Sequence, residues 1–318
     1  RPIYSKIPNE NSKIPKSILM DRPLDHAVSA FAPGAELVKD GAIHTARGFT
    51  EWFPGKPPSY RPYSKGLREK PLTVSKCDHC RAILPATNPD APTQTCPVCE
   101  KTAAVLRVYQ PNGFMTDYSP GRDYDDEAEE ILPGSFTEIG FTPDTGESMK
   151  IERCILQRIS QNDIYTINDN HGQLYEMKQS GGSTIVPDPD PDNSTPNIGN
   201  GNHFDNAAIG AVSKTDSLLI GLELDDLLET LSSVGAISLV NTIMPAGRSA
   251  LTSFAHHLRL VATHMLDISP QELRVGLQGI SSSQNNTLAG RIYLADTLEN
   301  GAGYSRHIGS EDFFRDLL

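Results

Sequence analysis

The chain has 318 residues, 37% of them hydrophobic and 21% charged, with 40 acidic against 28 basic side chains and a formal net charge of −12. At roughly 100–200 residues per domain this length predicts two domains. The acidic balance excludes a protein that binds polyanions over its whole surface, because a uniformly acidic body repels phosphate.

No apolar run reaches the roughly 18 residues of a membrane-spanning helix. The opening RPIYSKIPNENSKIPK has no apolar signal core, so a cytoplasmic protein is expected. The first residue is Arg1 rather than Met, which points to a piece of something longer. Of the 24 prolines, 22 precede residue 206, as do all five cysteines. Proline at that density breaks helices, so the first part is expected to be short strands and turns, with long periodic patterns only after it. The fold class this predicts is α+β: a proline-rich β region with a four-cysteine zinc ribbon, followed by an α/β domain.

Residues 1–73 read as an extended segment and a β-hairpin module. A short helix is expected over Asp25 to Phe31, stopped by Pro33-Gly34. A strand at Glu36 to Lys39, a turn at Asp40-Gly41 and a strand at Ala42 to Arg47 then make a hairpin. Residues 56–81 carry Lys56, Arg61, Lys65, Arg68, Lys70, Lys76 and Arg81 against Glu69 and Asp78, with Trp52, Phe53, Tyr60 and Tyr63 among them or just upstream. A basic, aromatic-laced segment can track a sugar-phosphate backbone and stack bases. Lys56, Arg61, Lys65, Arg68 and Lys70 are therefore candidate nucleic-acid contacts; the plainer reading is a solvated loop.

Residues 74–108 hold the strongest chemical signal. Cys77-Asp-His-Cys80 is followed fifteen residues later by Cys96-Pro-Val-Cys99. Zinc takes four ligands in a tetrahedron, and two tight C-x-x-C turns can each present a thiolate pair. Cys77, Cys80, Cys96 and Cys99 are thus expected to bind one Zn²⁺, with His79 on the surface. Two disulfides are the rival reading; the odd cysteine count and lack of an export signal weigh against it. Four thiolates leave no open position, so this zinc is expected to be structural.

Residues 109–180 read as a β-rich continuation. It includes an acidic run from Asp117 to Glu130, given no role, and a strand-like MKIERCILQRI whose Cys154 is expected to be a buried small hydrophobe. Residues 181–206, rich in Gly, Pro, Asp and Asn, read as a linker. Residues 207–318 form the α/β domain. A strand is expected around Lys214 to Leu224, and Asp225 to Val234 is either a short helix or an insertion. A helix follows from Arg248 to Leu266, with Leu251, Phe254, Leu258, Val261, Ala262 and Met265 on its apolar face. Ser269 caps a short turn begun by Pro270. A strand near Glu272 to Gly276, a strand at Arg291 to Ala295, a glycine-rich loop and a last helix near Gly309 to Leu318 complete it.

RPLDHAVSAFAPGAELVKDG, from Arg22 to Gly41, resembles a segment found downstream of the motor in bacterial superfamily-two helicases. TDSLLIGLEL, RSALTSFAHHLRLVATHMLDISPQELRVGL and RIYLADTLENGAGYSRHI, within residues 210–318, resemble the MrfA-type zinc-binding domain. That domain lies at the C-terminal end of DEAD/DEAH-like helicases of DNA repair and anti-phage defence. The shared features are Thr215-Asp216, the "LDI…EL" passage and the loop at Asp296, Gly301, Gly303 and Tyr304. The family pattern often has a cysteine near Ser305, and its zinc cysteines fall beyond this loop, where the chain has ended. Zinc binding by the C-terminal domain itself is therefore not carried over.

The resemblance implies a non-catalytic, zinc-containing accessory region of a helicase-like protein of anti-phage defence or DNA repair, partnered with a motor domain in cis or as a separate subunit, and contacting DNA, single-stranded or at a junction, and/or partner subunits. No G-x-x-x-x-G-K-[ST] and no DExH box is present, so the chain is not expected to be the ATP-driven motor itself. Two other readings stand beside this. Asp296, Glu299 and His307 flank a strand-to-helix loop and could serve a nuclease or phosphohydrolase, with Gly301 and Gly303 opening the helix toward a phosphate. Alternatively the chain is purely a protein-binding scaffold.

Overall fold

A computed structural model describes residues 1–5, 18–54, 60–79, 82–97, 99–116, 122–124, 138–141, 148–187, 201–223, 245–278 and 288–318. Strands dominate and helices are fewer, a mixed-sheet α+β fold. The chain forms two compact units, each gathered from three stretches: Arg1–Thr73, Leu106–Glu138 and Thr166–Ala211 in the first, Val74–Val105, Ile139–Tyr165 and Val212–Leu318 in the second. Among the described residues no helix is long and apolar enough to cross a membrane.

In the first unit the helix Leu24–Ala30 ends as Phe31 donates its N–H to Ala27, and Gly34 turns the chain with φ +93. Strands Glu36–Lys39 and Ala42–Phe49 pair antiparallel through a two-residue turn, Asp40 at φ 53 and Gly41 at φ 75. Both signs are positive, as a type I′ turn requires, so the Asp-Gly pair sets the register. Ala27, Val28 and Phe31 from the helix meet Ile3, Phe49, Phe114, Tyr175, Met177 and Ile209 in one core. Phe31 and Phe49 both meet Phe114 edge-on, centroids 5.5 and 5.7 Å away. Such pairs add about 0.5–1.5 kcal/mol each beyond their burial.

The residues read as a linker, 181–206, begin and end in strand. Tyr175–Ser180 turns through Gly181 and Gly182, both at positive φ, into Ser183–Ile185, and that strand pairs with Gly48 and Phe49. At the other end Asn202–Glu223 runs as one strand paired with Tyr175–Ser180. Composition overstates the linker because β-prone Thr184 and Ile185 sit among turn formers, and the Gly-Gly pair makes a hairpin instead of an open chain. Residues 188–200 lie outside the described residues.

The second unit holds a sheet in which Leu288–Asp296 pairs with Asn202–Glu223 on one side and Leu273–Leu277 on the other. The helix Pro245–Met265 lies on it, burying Leu251, Ala255, Leu258 and Ala262. Approach is close: a Cβ on Gly290 would meet the Leu251 side chain at 2.4 Å. The predicted apolar face is corrected at two positions, since Val261 and Met265 are 45% and 40% exposed. Successive helical residues are about 100° apart, so Val261 is carried off the stripe centred on Leu258 and Ala262. Ser269 does accept the N–H of Gln271 at the head of the short turn Pro270–Glu272. Residues 225–234, read as helix or insertion, lie outside the described residues.

The run MKIERCILQRI is also not one strand. Ser148–Ile151 and Cys154–Asn168 form a hairpin, Ile151 opposite Cys154, because Glu152 adopts a φ of 50 and reverses the chain. Cys154 is buried in the core of this unit, as expected. Burial, with Glu152 and Glu223 nearby, pushes its thiol up to about 11.

Candidate functional site

The cysteine module is built from two hairpins of the second unit. Leu72–Lys76 pairs with Ile83–Pro85, and Thr93–Thr95 pairs with Thr102–Tyr109. Each C-x-x-C follows the first strand of its hairpin. The N–H of Cys77 donates to Ala82 at 3.0 Å and that of Cys96 to Lys101 at 2.8 Å, so the backbone returns directly after each cysteine pair. Glu100 makes the second reversal at φ 60 and donates to the Cys96 carbonyl.

These turns bring Cys77, Cys96 and Cys99 together, their Sγ atoms all within 4.8 Å of one another. Cys77 and Cys96 are buried, 0% and 1% exposed, among Ala82 and Ala103. The Sγ atoms of Cys77 and Cys99 are 3.5 Å apart, too far for the roughly 2.05 Å of a disulfide bond. Tetrahedral zinc with Zn–S near 2.3 Å places its thiolates about 3.8 Å apart, so the spacing suits a metal. Two buried thiols and a partly exposed third gathered at that range suit zinc, and a metal held there would staple the hairpin tips. Cys80, the fourth member of the predicted quartet, lies outside the described residues; His79 is on the surface.

In the same unit the glycine-rich loop is organised around Asp296. Its side chain has no exposed surface. Oδ2 accepts the N–H groups of Ala302, Gly303 and Tyr304 at 2.7, 2.6 and 3.2 Å, and Oδ1 that of Ser305 at 2.8 Å. The carboxylate thus caps the helix Tyr304–Ile308, whose own N-cap, Gly303, offers no side chain. The donors expected to face a phosphate are taken by this carboxylate. Glu299 and His307 are exposed, the latter's ring 5.1 Å from Phe313. Asp296 therefore shares no accessible surface with Glu299 and His307. Asp216 completes the lock: it accepts the N–H of Gln161 at 3.1 Å and lies where a Cβ on Gly301 would fall, 2.9 Å from its carboxyl carbon.

Of the candidate nucleic-acid contacts, Lys56 lies outside the described residues, and Arg61 falls on the strand Tyr60–Ser64. Lys65, Arg68 and Lys70 are exposed on the first unit. Contacts with distant stretches hold that loop: the Lys65 carbonyl accepts the Thr184 hydroxyl at 2.7 Å, and Arg68 N–H donates to the Gln110 carbonyl at 3.0 Å. Sequence reading missed the neighbours this creates. Lys65 Nζ sits 5.0 Å from the centre of the Phe204 ring, and Phe204 meets Tyr109 edge-on at 6.2 Å. Asp205 pairs with Arg107 and accepts the Tyr109 hydroxyl at 3.0 Å. Burial, then the Asp205 bond, pushes Tyr109 up to about 12. Four distant stretches of chain meet here, and no local pattern announces such a meeting.

No family model matches the chain. In an alignment 307 residues long that covers 89% of the chain, it is 24% identical to Druantia protein DruE of Escherichia coli (strain UMEA 4076-1). The match covers 16% of that relative's length, so the chain corresponds to a small part of it. The crystal structure of the DUF1998 helicase MrfA bound to DNA matches with 12% identity, covering 67% of this chain and 23% of that one. Its TM-score is 0.33, too low for the likeness to bear on fold or function.

Proposed function

We propose that the chain is a non-catalytic, zinc-containing accessory region of a helicase-like protein of anti-phage defence or DNA repair, acting in the cytoplasm beside a motor domain. The observation that carries this reading is the sequence likeness to Druantia protein DruE, which runs through 89% of the chain. The motif resemblance from Thr215 to Ile308 supplies the helicase association.

In this reading Cys77, Cys80, Cys96 and Cys99 hold one Zn²⁺ that stabilises the hairpin module of residues 74–108. Lys56, Arg61, Lys65, Arg68 and Lys70 contact the DNA backbone. The nuclease alternative has less support: Asp296 is buried and its oxygens are engaged by backbone donors. The scaffold alternative differs by requiring no nucleic-acid binding.

The deciding experiment is filter binding of single-stranded and junction DNA to the full chain across a salt series, beside a variant with Arg61, Lys65, Arg68 and Lys70 changed to Gln. Each lost phosphate contact on a single strand lowers the slope of log K against log salt by about 0.7. A flattened slope supports the DNA role. A slope unchanged in the variant, or no binding by the wild-type chain at low salt, sinks it.

A further inference from the structure

The half-buried rings of Tyr109 and Phe204 lie in the first unit, on the parts of the neighbouring strands Thr102–Tyr109 and Asn202–Glu223 that belong to it, which pair in parallel at Tyr109 and Ile209. Phe204 is the extra residue of a β-bulge. Opposite it the register jumps from Met177 with Asp205 to Lys178 with His203, leaving Phe204 unpaired. A bulge re-aims the side chain it carries, and here Phe204 and its successor Asp205 both reach Tyr109. Beneath, both rings pack on the core of the unit. Around them stand two exposed cations, Lys65 over the Phe204 ring and Arg107 beside Tyr109. Asp205, 3% exposed, is sunk below them, so the surface offers cations and rings but little of the carboxylate that orients them.

We infer that Phe204 and Tyr109, flanked by Lys65 and Arg107, form a stacking platform for the bases of single-stranded nucleic acid. Every base has a π-face and a neighbouring phosphate, and a rigid ring beside two cations is complementary to that pair without regard to sequence. Rings held from below and a guanidinium tethered by a buried carboxylate lose little freedom on binding. Lys65 leaves the Phe204 face for a phosphate as the base takes its place. This inference rests on the nucleic-acid reading above and names where the strand is gripped.

The test is fluorescence anisotropy of a labelled oligothymidine of about 16 nucleotides, the upper site size of a small single-strand module, with the zinc-loaded full chain. Phe204→Leu keeps an apolar side chain and removes the π-face. It should weaken binding by at least about fivefold with the salt slope unchanged, as loss of one stacked base predicts. Phe204→Trp, made with Trp52→Phe so that one indole remains, should retain affinity, and its indole emission should be quenched when the oligonucleotide binds. A Leu variant that folds and binds like wild type overturns the platform while leaving the DNA role standing. If the Leu variant does not fold, an indole emission indifferent to saturating oligonucleotide overturns it instead. Absence of binding by the wild-type chain at low salt removes both inferences together.

Discussion

The hydroxyl of Thr215 reaches the carbonyl oxygen of Asp296 at 3.0 Å and that of Leu298 at 2.9 Å, bridging two motifs 81 residues apart. Thr215 is 1% exposed, so the contact is an interior one. Asp296 turns its carboxylate the other way, onto four backbone N–H groups of residues 302–305. Residues that looked like display for chemistry thus close a loop against a strand. Replacing Asp296 by Ala leaves those donors, the buried N–H of Ser305 among them, without their acceptor. It should cost about 2–4 kcal/mol, more than an exposed cap, because the carboxylate is itself buried and serves four donors at once. Urea denaturation measures this; a midpoint equal to wild type would contradict the capping role.

Ser305 offers the opposite expectation at the same place. Its side chain is fully buried and its Oγ has no hydrogen-bond partner among the described residues. Ser305→Ala should therefore be neutral or stabilising by about 1 kcal/mol, since a buried hydroxyl without a partner carries its desolvation cost uncompensated. A clear loss of thermal stability would reveal a bond to that hydroxyl.

The cysteine module should depend on its metal. Elemental analysis of the purified chain should find one zinc per chain, and Cys96→Ser should abolish or sharply reduce it. Chelation should unfold residues 74–108, because a few alanines and thiols make too small a core to hold two hairpins. Hydrogen exchange in that stretch that stayed slow after chelation would rule out a structural zinc.

Tyr109 gives a pH signature. Its hydroxyl is held protonated by burial and by donation to Asp205, with a pKa of about 12 against about 10 in an unfolded chain. The folded value is the higher one, so the stabilisation is fully present below about pH 10 and is lost as pH rises toward 12. The stability advantage of wild type over Tyr109→Phe should be flat near neutrality and shrink above about pH 10. An advantage that grew with alkalinity would contradict the bond to Asp205.

Much of the architecture was legible because its signals are local. Asp40-Gly41 dictates a two-residue turn by its own φ preferences, and the helix and strands around it fall where Leu24 to Phe49 predict. Paired C-x-x-C turns announce a thiolate cluster, since metal geometry constrains short spacings. The sequence alone thus determined the hairpin, the α+β class and the gathering of Cys77, Cys96 and Cys99. Tertiary structure decided whatever depends on residues meeting from afar. It drew the ends of the supposed linker into strands, one against Gly48 and Phe49 and the other against Tyr175–Ser180, and turned Val261 and Met265 outward. It made Asp296 a buried cap, and set Lys65 and Tyr109 against Phe204. The physical reason is that hydrogen bonds and burial are satisfied in three dimensions, so a partner's place, near in the chain as for Asp296 or far as for Phe204, leaves no periodicity to read.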